Sequence, residues 1–133
     1  MLLGGCQCGA VRYQVMAEPV QVYVCHCTEC RKQSASAFGI SVIVPVDAFS
    51  VTHGRVRTWS RMTDTGGELV CSFCEVCGTR ICHADAREPT LSVKGGSLDE
   101  PPELSGAAHI WTSRAIKGVV IPEHAQRFAE EPV

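Results

Sequence analysis

Val24-Cys25-His26-Cys27-Thr28-Glu29-Cys30-Arg31-Lys32, VCHCTECRK in one-letter code, places three cysteines within six residues. That is one thiolate short of a closed zinc site, because structural zinc takes four ligands in a tetrahedron. Three readings are open: a metal centre with a free position, half of a structural knot, or a disulfide cluster. Residues separated by one project from the same face of an extended strand, so Cys25 and Cys27 can reach one ion. Cys27 and Cys30, separated by two residues, fit a turn around the same ion. The stretch therefore reads as a strand running into a short helix. Thr28 is the expected N-cap of Glu29 to Ser34, with Glu29 in the acid-favouring first turn.

Outward from this stretch the cysteines continue as Cys6-Gln7-Cys8, as Cys71-Ser72-Phe73-Cys74-Glu75-Val76-Cys77, and as Cys82 alone, nine in 133 residues. Disulfides are the weaker explanation. Cysteines separated by one residue sit badly for S–S geometry, and clustered thiols in a reducing compartment more often bind metal. MLLGGCQCGAV is too short and too rich in glycine for a signal peptide, and no run approaches a membrane span, so a cytoplasmic protein is expected. Cys74-Glu75-Val76-Cys77-Gly78 has the form of a tight metal-wrapping turn, with Gly78 able to take the positive φ at its exit. Cys6 and Cys8 with Cys74 and Cys77 make a closed four-thiolate site. Cys25, Cys27 and Cys30 then share a second ion with a fourth position left for water or substrate, the mark of a catalytic zinc. A fourth ligand from His26, Cys71 or Cys82 would instead close that site, and spacing does not decide between the two.

The chain is one domain's worth, residues 1–133, with 45% hydrophobic and 20% charged residues, as in ordinary globular proteins. A net charge of −2 without a long Lys/Arg run lacks the footprint of a nucleic-acid binder. Short β-strands prevail: Ala10 to Val15, Val20 to Val24, Gly39 to Val44, Glu68 to Phe73, Arg80 to Ala84, Thr90 to Lys94 and Ala107 to Thr112. Phe49 to Thr52 and Arg55 to Ser60 flank His53-Gly54, which reads as a hairpin turn. Pro45 to Ala48 reads as a single helical turn. The expectation is a mainly β chain of about eight or nine short strands, with helical turns near the cysteines.

The sequence resembles the family of glutathione-dependent formaldehyde-activating enzymes, which also includes centromere protein V. The likeness is collinear. It runs through Gly4-Gly5-Cys6-Gln7-Cys8-Gly9-Ala10-Val11-Arg12-Tyr13, Cys25-His26-Cys27-Thr28-Glu29-Cys30-Arg31-Lys32, Phe73-Cys74-Glu75-Val76-Cys77-Gly78-Thr79, Gly96-Ser97-Leu98-Asp99 and His109-Ile110-Trp111. It departs at Ala35-Ser36 and near Gly118. The resemblance implies small antiparallel sheets leaning together like a tent and two zinc ions. Cys6, Cys8, Cys74 and Cys77 would hold the structural zinc, and Cys25, Cys27 and Cys30 the catalytic one. It leaves Cys71 and Cys82 outside both sites, as core thiols. The implied activity is that of a carbon–sulfur lyase adding glutathione to formaldehyde to give S-hydroxymethylglutathione. The expected partner is a small thiol or thiol adduct, with neither nucleic acid nor membrane involved.

Other polar residues read more plainly. His26, between two ligands on a strand, should point away from the metal, and His109 reads as a hydrogen-bonded core histidine. Glu29, Arg31 and Lys32 either recognise an anionic substrate or form a solvated face. Two rival functions belong to other classes: a non-enzymatic zinc module that binds a protein, and a thiol-redox enzyme using Cys71 or Cys82.

Overall fold

A computed structural model describes residues 1–132. Ten strands are formed: β1 (Leu2–Gly5), β2 (Arg12–Val15), β3 (Gln21–Cys25), β4 (Gly39–Pro45), β5 (Phe49–His53), β6 (Val56–Met62), β7 (Glu68–Cys74), β8 (Arg80–Asp85), β9 (Thr90–Lys94) and β10 (Ala108–Ile110). One helix, α1 (Thr28–Ser34), follows β3, and Val46–Ala48 makes the single turn expected after Pro45. Mainly β architecture is thus observed. A three-stranded sheet has the order β1-β2-β5, and a second sheet the order β10-β3-β4-β9-β8-β7-β6.

Alternation in the sequence sets which face each strand buries. Tyr13 and Val15 of β2 point inward while Arg12 and Gln14 stay at the surface. Val42 and Val44 of β4, Ile81 of β8 and Leu91 and Val93 of β9 meet them from the larger sheet, together with Val11. This apolar layer between the two sheets is the main source of stability, since each fully buried Val or Ile side chain contributes about 1.5–3 kcal/mol. Tyr13 is buried without orphaning its hydroxyl. Ser97 Oγ donates to the Lys94 carbonyl at 2.7 Å, so the Tyr13 hydroxyl, also 2.7 Å from Ser97 Oγ, donates to the serine.

Three expectations are corrected. His53-Gly54 is no hairpin turn, because β5 pairs with β2 and β6 with β7, so the chain crosses here between sheets. Gly54 has φ +79, and a Cβ on it would lie 2.0 Å from the Ala10 carbonyl oxygen; both backbone conformation and contact demand glycine. The larger sheet is not wholly antiparallel, since β10 runs parallel to β3. Leu2–Gly5, read from sequence only as a glycine-rich start, is a strand paired antiparallel with β2.

Candidate metal centres and adjoining cleft

β3 delivers Cys25 at its last residue, and the chain turns at once into α1. The helix N-cap is Cys27 rather than Thr28: Cys27 is extended (φ −66, ψ 159) and its Sγ accepts from the Cys30 backbone N–H at 3.3 Å. A thiolate accepts such a bond as a serine hydroxyl would, which moves the cap one residue earlier than the usual cap residues suggest. The same turn brings Cys30 round, and the three sulfurs lie within 4.8 Å of one another. Hydrogen bonds from the Cys25 and Cys30 thiols hold Cys27 far below the ordinary cysteine range, helped by the Cys30 backbone N–H. Cys25 is pushed up by the same partnership, first through Cys27 and then Cys30.

The second cluster is assembled from two distant turns. Cys6 and Cys8 follow β1, while Cys74 ends β7 and Cys77 lies in the turn before β8. Cys6 Sγ is 3.6 Å from Cys8 Sγ, and Cys8 Sγ 3.8 Å from Cys74 Sγ. Sulfurs on the corners of a tetrahedron with Zn–S near 2.3 Å stand roughly 3.8 Å apart, so this donor set fits zinc. All nine cysteines are free of disulfides. Backbone N–H groups support the sulfurs: Val11 donates to Cys6 at 3.1 Å and Val76 to Cys74 at 3.3 Å. The Thr79 hydroxyl, 3.2 Å from Cys77 Sγ, and the Thr79 backbone push the Cys77 thiol down to about 5. Gly78 has the positive φ, +80, that the turn was expected to need.

Residues outside the clusters fall as follows. Cys71 and Cys82 are buried, at 2% and 6% exposure, and join neither group of sulfurs. His26 points away from the cluster and is buried against His109, its Nε2 2.9 Å from His109 Nδ1. Burial holds both rings below the usual histidine range. Glu29 pairs loosely with Arg61 at 3.6 Å.

A cleft of about 830 Å³ lies between α1 and the four-cysteine turn. Its walls include Arg12, Gln33, Cys77, Arg80, Lys94 and Asp99. Asp99 is forked by Arg12, one arm at 2.9 Å, which holds its carboxyl below the usual range. A smaller recess of about 20 Å³ is bordered by Glu29, Cys30, Cys71, Arg80, His83 and Lys94. Gln33, Arg80 and Lys94 border both spaces and form the seam between them. Lys94 is 7% exposed, and its Nζ donates to His83 Nδ1 at 2.7 Å. Burial lowers Lys94 from the ordinary lysine range, and burial with the adjacent Lys94 charge pushes His83 down to about 3. Sequence reading assigned neither residue a role. The one available signal, a lysine ending an apolar strand at Leu91-Ser92-Val93-Lys94, does not say where the amine points.

Comparison with known proteins places this arrangement. A family model described as glutathione-dependent formaldehyde-activating enzyme matches residues 1–114. A protein of Halomonas elongata, provisionally named as a glutathione-dependent formaldehyde-activating enzyme, is 32% identical over a match covering 77% of this chain and 71% of that protein. A crystal structure of a Rhodobacter sphaeroides protein has the same fold, with a TM-score of 0.62, 23% identity and coverage of 80% of this chain and 98% of that one.

Proposed function

The chain belongs to the glutathione-dependent formaldehyde-activating enzyme family, and on that premise we propose that it is a zinc-dependent carbon–sulfur lyase joining glutathione to formaldehyde. In this reading residues 1–133 act as one domain. Cys25, Cys27 and Cys30 hold the catalytic zinc, and Cys6, Cys8, Cys74 and Cys77 the structural one. The observation that carries the reading is a three-thiol cluster that no further ligand joins among the described residues, with Cys30 bordering a recess that opens beside a cationic cleft. Zinc held by three thiols supplies a Lewis acid that keeps an incoming thiol deprotonated at neutral pH.

The chain's own residues supply the remainder. The recess has room for one water-sized molecule, which suits a one-carbon carbonyl better than any larger aldehyde. The cleft has the volume for a tripeptide, and Arg80 and Lys94 on its wall offer cationic partners for carboxylates. Arg12 is engaged by Asp99 and lines the same cleft. As the thiolate sulfur adds to the carbonyl carbon, the carbonyl π pair moves onto oxygen, which must take a proton. Running backward, the hydroxyl loses that proton, the C–S bond breaks and its electrons return to sulfur.

Exchange between formaldehyde, glutathione and their adduct, followed by two-dimensional NMR, tests this. Zinc-loaded native protein should accelerate exchange, and Cys27→Ser should abolish the acceleration while one zinc and the fold remain. No acceleration by native protein with both zincs present would remove glutathione and formaldehyde as the substrate pair. Collapse of the fold in Cys27→Ser would make the three-cysteine site structural.

A further inference from the structure

Lys94 is a buried cation with no carboxylate within ion-pair distance among the described residues. Taking an ammonium out of water costs several kcal/mol, and a methionine would fill the same volume without that cost. Among the described residues its side-chain hydrogen-bond partner is the imidazole of His83. Since Nζ donates, His83 must accept through Nδ1 and carry its own proton on Nε2. Lys94 stands where the recess beside Cys30 meets the large cleft, and His83 lines the recess with it. The backbone beneath Lys94 is fixed, because the Lys94 carbonyl accepts from Ser97, which accepts from the buried Tyr13. Groups that face or act on Lys94 from the packed elements are Cys25 of β3, Cys30 of α1, Cys71 of β7, and Arg80 and His83 of β8.

We propose that Lys94 is the proton donor of this site, giving a proton to the carbonyl oxygen as the carbon–sulfur bond forms, and that His83 is the positioning residue that holds its ammonium. The inference rests on the functional reading above. In the forward step the sulfur electron pair forms the C–S bond and the carbonyl π pair moves to oxygen. That oxygen takes a proton from the Lys94 ammonium, leaving an amine. Solvent reaching the recess returns a proton to the amine, and the neutral His83 ring, accepting through Nδ1, keeps the amine in place meanwhile. In the reverse step the amine removes the hydroxyl proton as the C–S bond breaks. Neither Glu29, paired with Arg61, nor His26 and His109, turned away from the cluster, occupies the seam.

The test uses zinc-loaded native protein, Lys94→Met and Lys94→Ala in the NMR exchange measurement, with zinc content and melting temperature recorded for each. Lys94→Met should lose about a hundredfold or more of the acceleration, as for other positioned acids, with both zincs kept. Ethylamine added to Lys94→Ala should restore part of the rate, which a merely structural role would not allow. Imidazole ¹⁵N spectra should show His83 as the Nε2–H tautomer in native protein and a changed tautomer balance in Lys94→Met. Undiminished acceleration in Lys94→Met overturns the inference and leaves the functional reading standing. No acceleration by native protein overturns both. If the Lys94 variants fail to fold, His83 carries the test: His83→Leu removes the acceptor that positions the ammonium and should lower the rate about tenfold, while His83→Gln, whose amide still accepts from Lys94, should keep most of it. An unchanged rate in His83→Leu overturns the positioning of Lys94.

Discussion

Cys27 has two duties, and they separate on substitution. Its sulfur caps α1 and also belongs to the three-thiol cluster. Serine keeps a capping oxygen but is a poor ligand, so Cys27→Ser should leave thermal stability near that of the native apo-site. Cys27→Ala should be less stable than Cys27→Ser by ~1 kcal/mol in urea titration. Equal stability would mean that the cap contributes nothing. Thr28 is the residue that sequence reading favours for the cap because cysteine is seldom counted among capping residues; the thiolate character that makes it one comes from Cys25 and Cys30 alongside. His83 yields a pH prediction. Its folded value is depressed to about 3, so below the unfolded value near 6.5 the unfolded chain binds a proton that the folded chain does not. The stability it contributes is complete above about pH 6.5 and is lost as pH falls toward the folded value, by at most ~1.4 kcal/mol per pH unit. Between pH 7.5 and 5.5, with zinc content constant, native protein should lose about 1 kcal/mol more than His83→Gln. Parallel pH dependences would show that His83 titrates normally.

At the scale of elements, the legible parts were those with strong local pattern. β9 matches its expected span of Thr90 to Lys94, and β3, β4, β7 and β8 differ from theirs only at the ends, because β-branched and alternating residues mark them. What failed was long-range. Leu2–Gly5 is half glycine and becomes a strand only through its register with β2, from Leu2 opposite Val15 to Gly5 opposite Arg12. At His53-Gly54 the local pattern is that of a hairpin, yet a turn does not state which sheet the next strand will join. Nor does strand propensity reveal direction, so the parallel pairing of β10 with β3 was invisible. Gly54 is where the joint between sheets is tightest. Gly54→Ala should destabilise by ~2 kcal/mol or more, from the left-handed backbone and the collision with Ala10 together. An effect below ~0.5 kcal/mol in urea titration would show that the crossing relaxes without strain.

For the whole molecule, both sulfur groupings were legible from spacing, whereas the cleft between them was not. Cys6, Cys8, Cys74 and Cys77 assemble as expected; Arg12, Arg80, Lys94 and Asp99 reach one cleft from four separate strands and turns, which only the folded topology specifies. Among the described residues no helix is long and apolar enough to cross a membrane. The four-thiol group ties the hairpin of β1 and β2 to that of β7 and β8, so Cys74→Ser should unfold the domain or sharply lower its melting temperature, unlike Cys27→Ser. A chelator should act in the same two ways, silencing the three-thiol site before the fold yields; simultaneous loss of activity and structure would contradict this division. The sequence distances within the two groups differ greatly as well. Cys25, Cys27 and Cys30 leave the ribosome together and can collect a metal ion at once. Cys8 must wait 66 residues for Cys74, roughly 3 to 13 seconds at ordinary synthesis rates. During that interval the first pair of thiols is exposed and incomplete. The order of translation therefore completes the three-thiol group early and the four-thiol group late, making the nascent chain most vulnerable to oxidation at its first two cysteines.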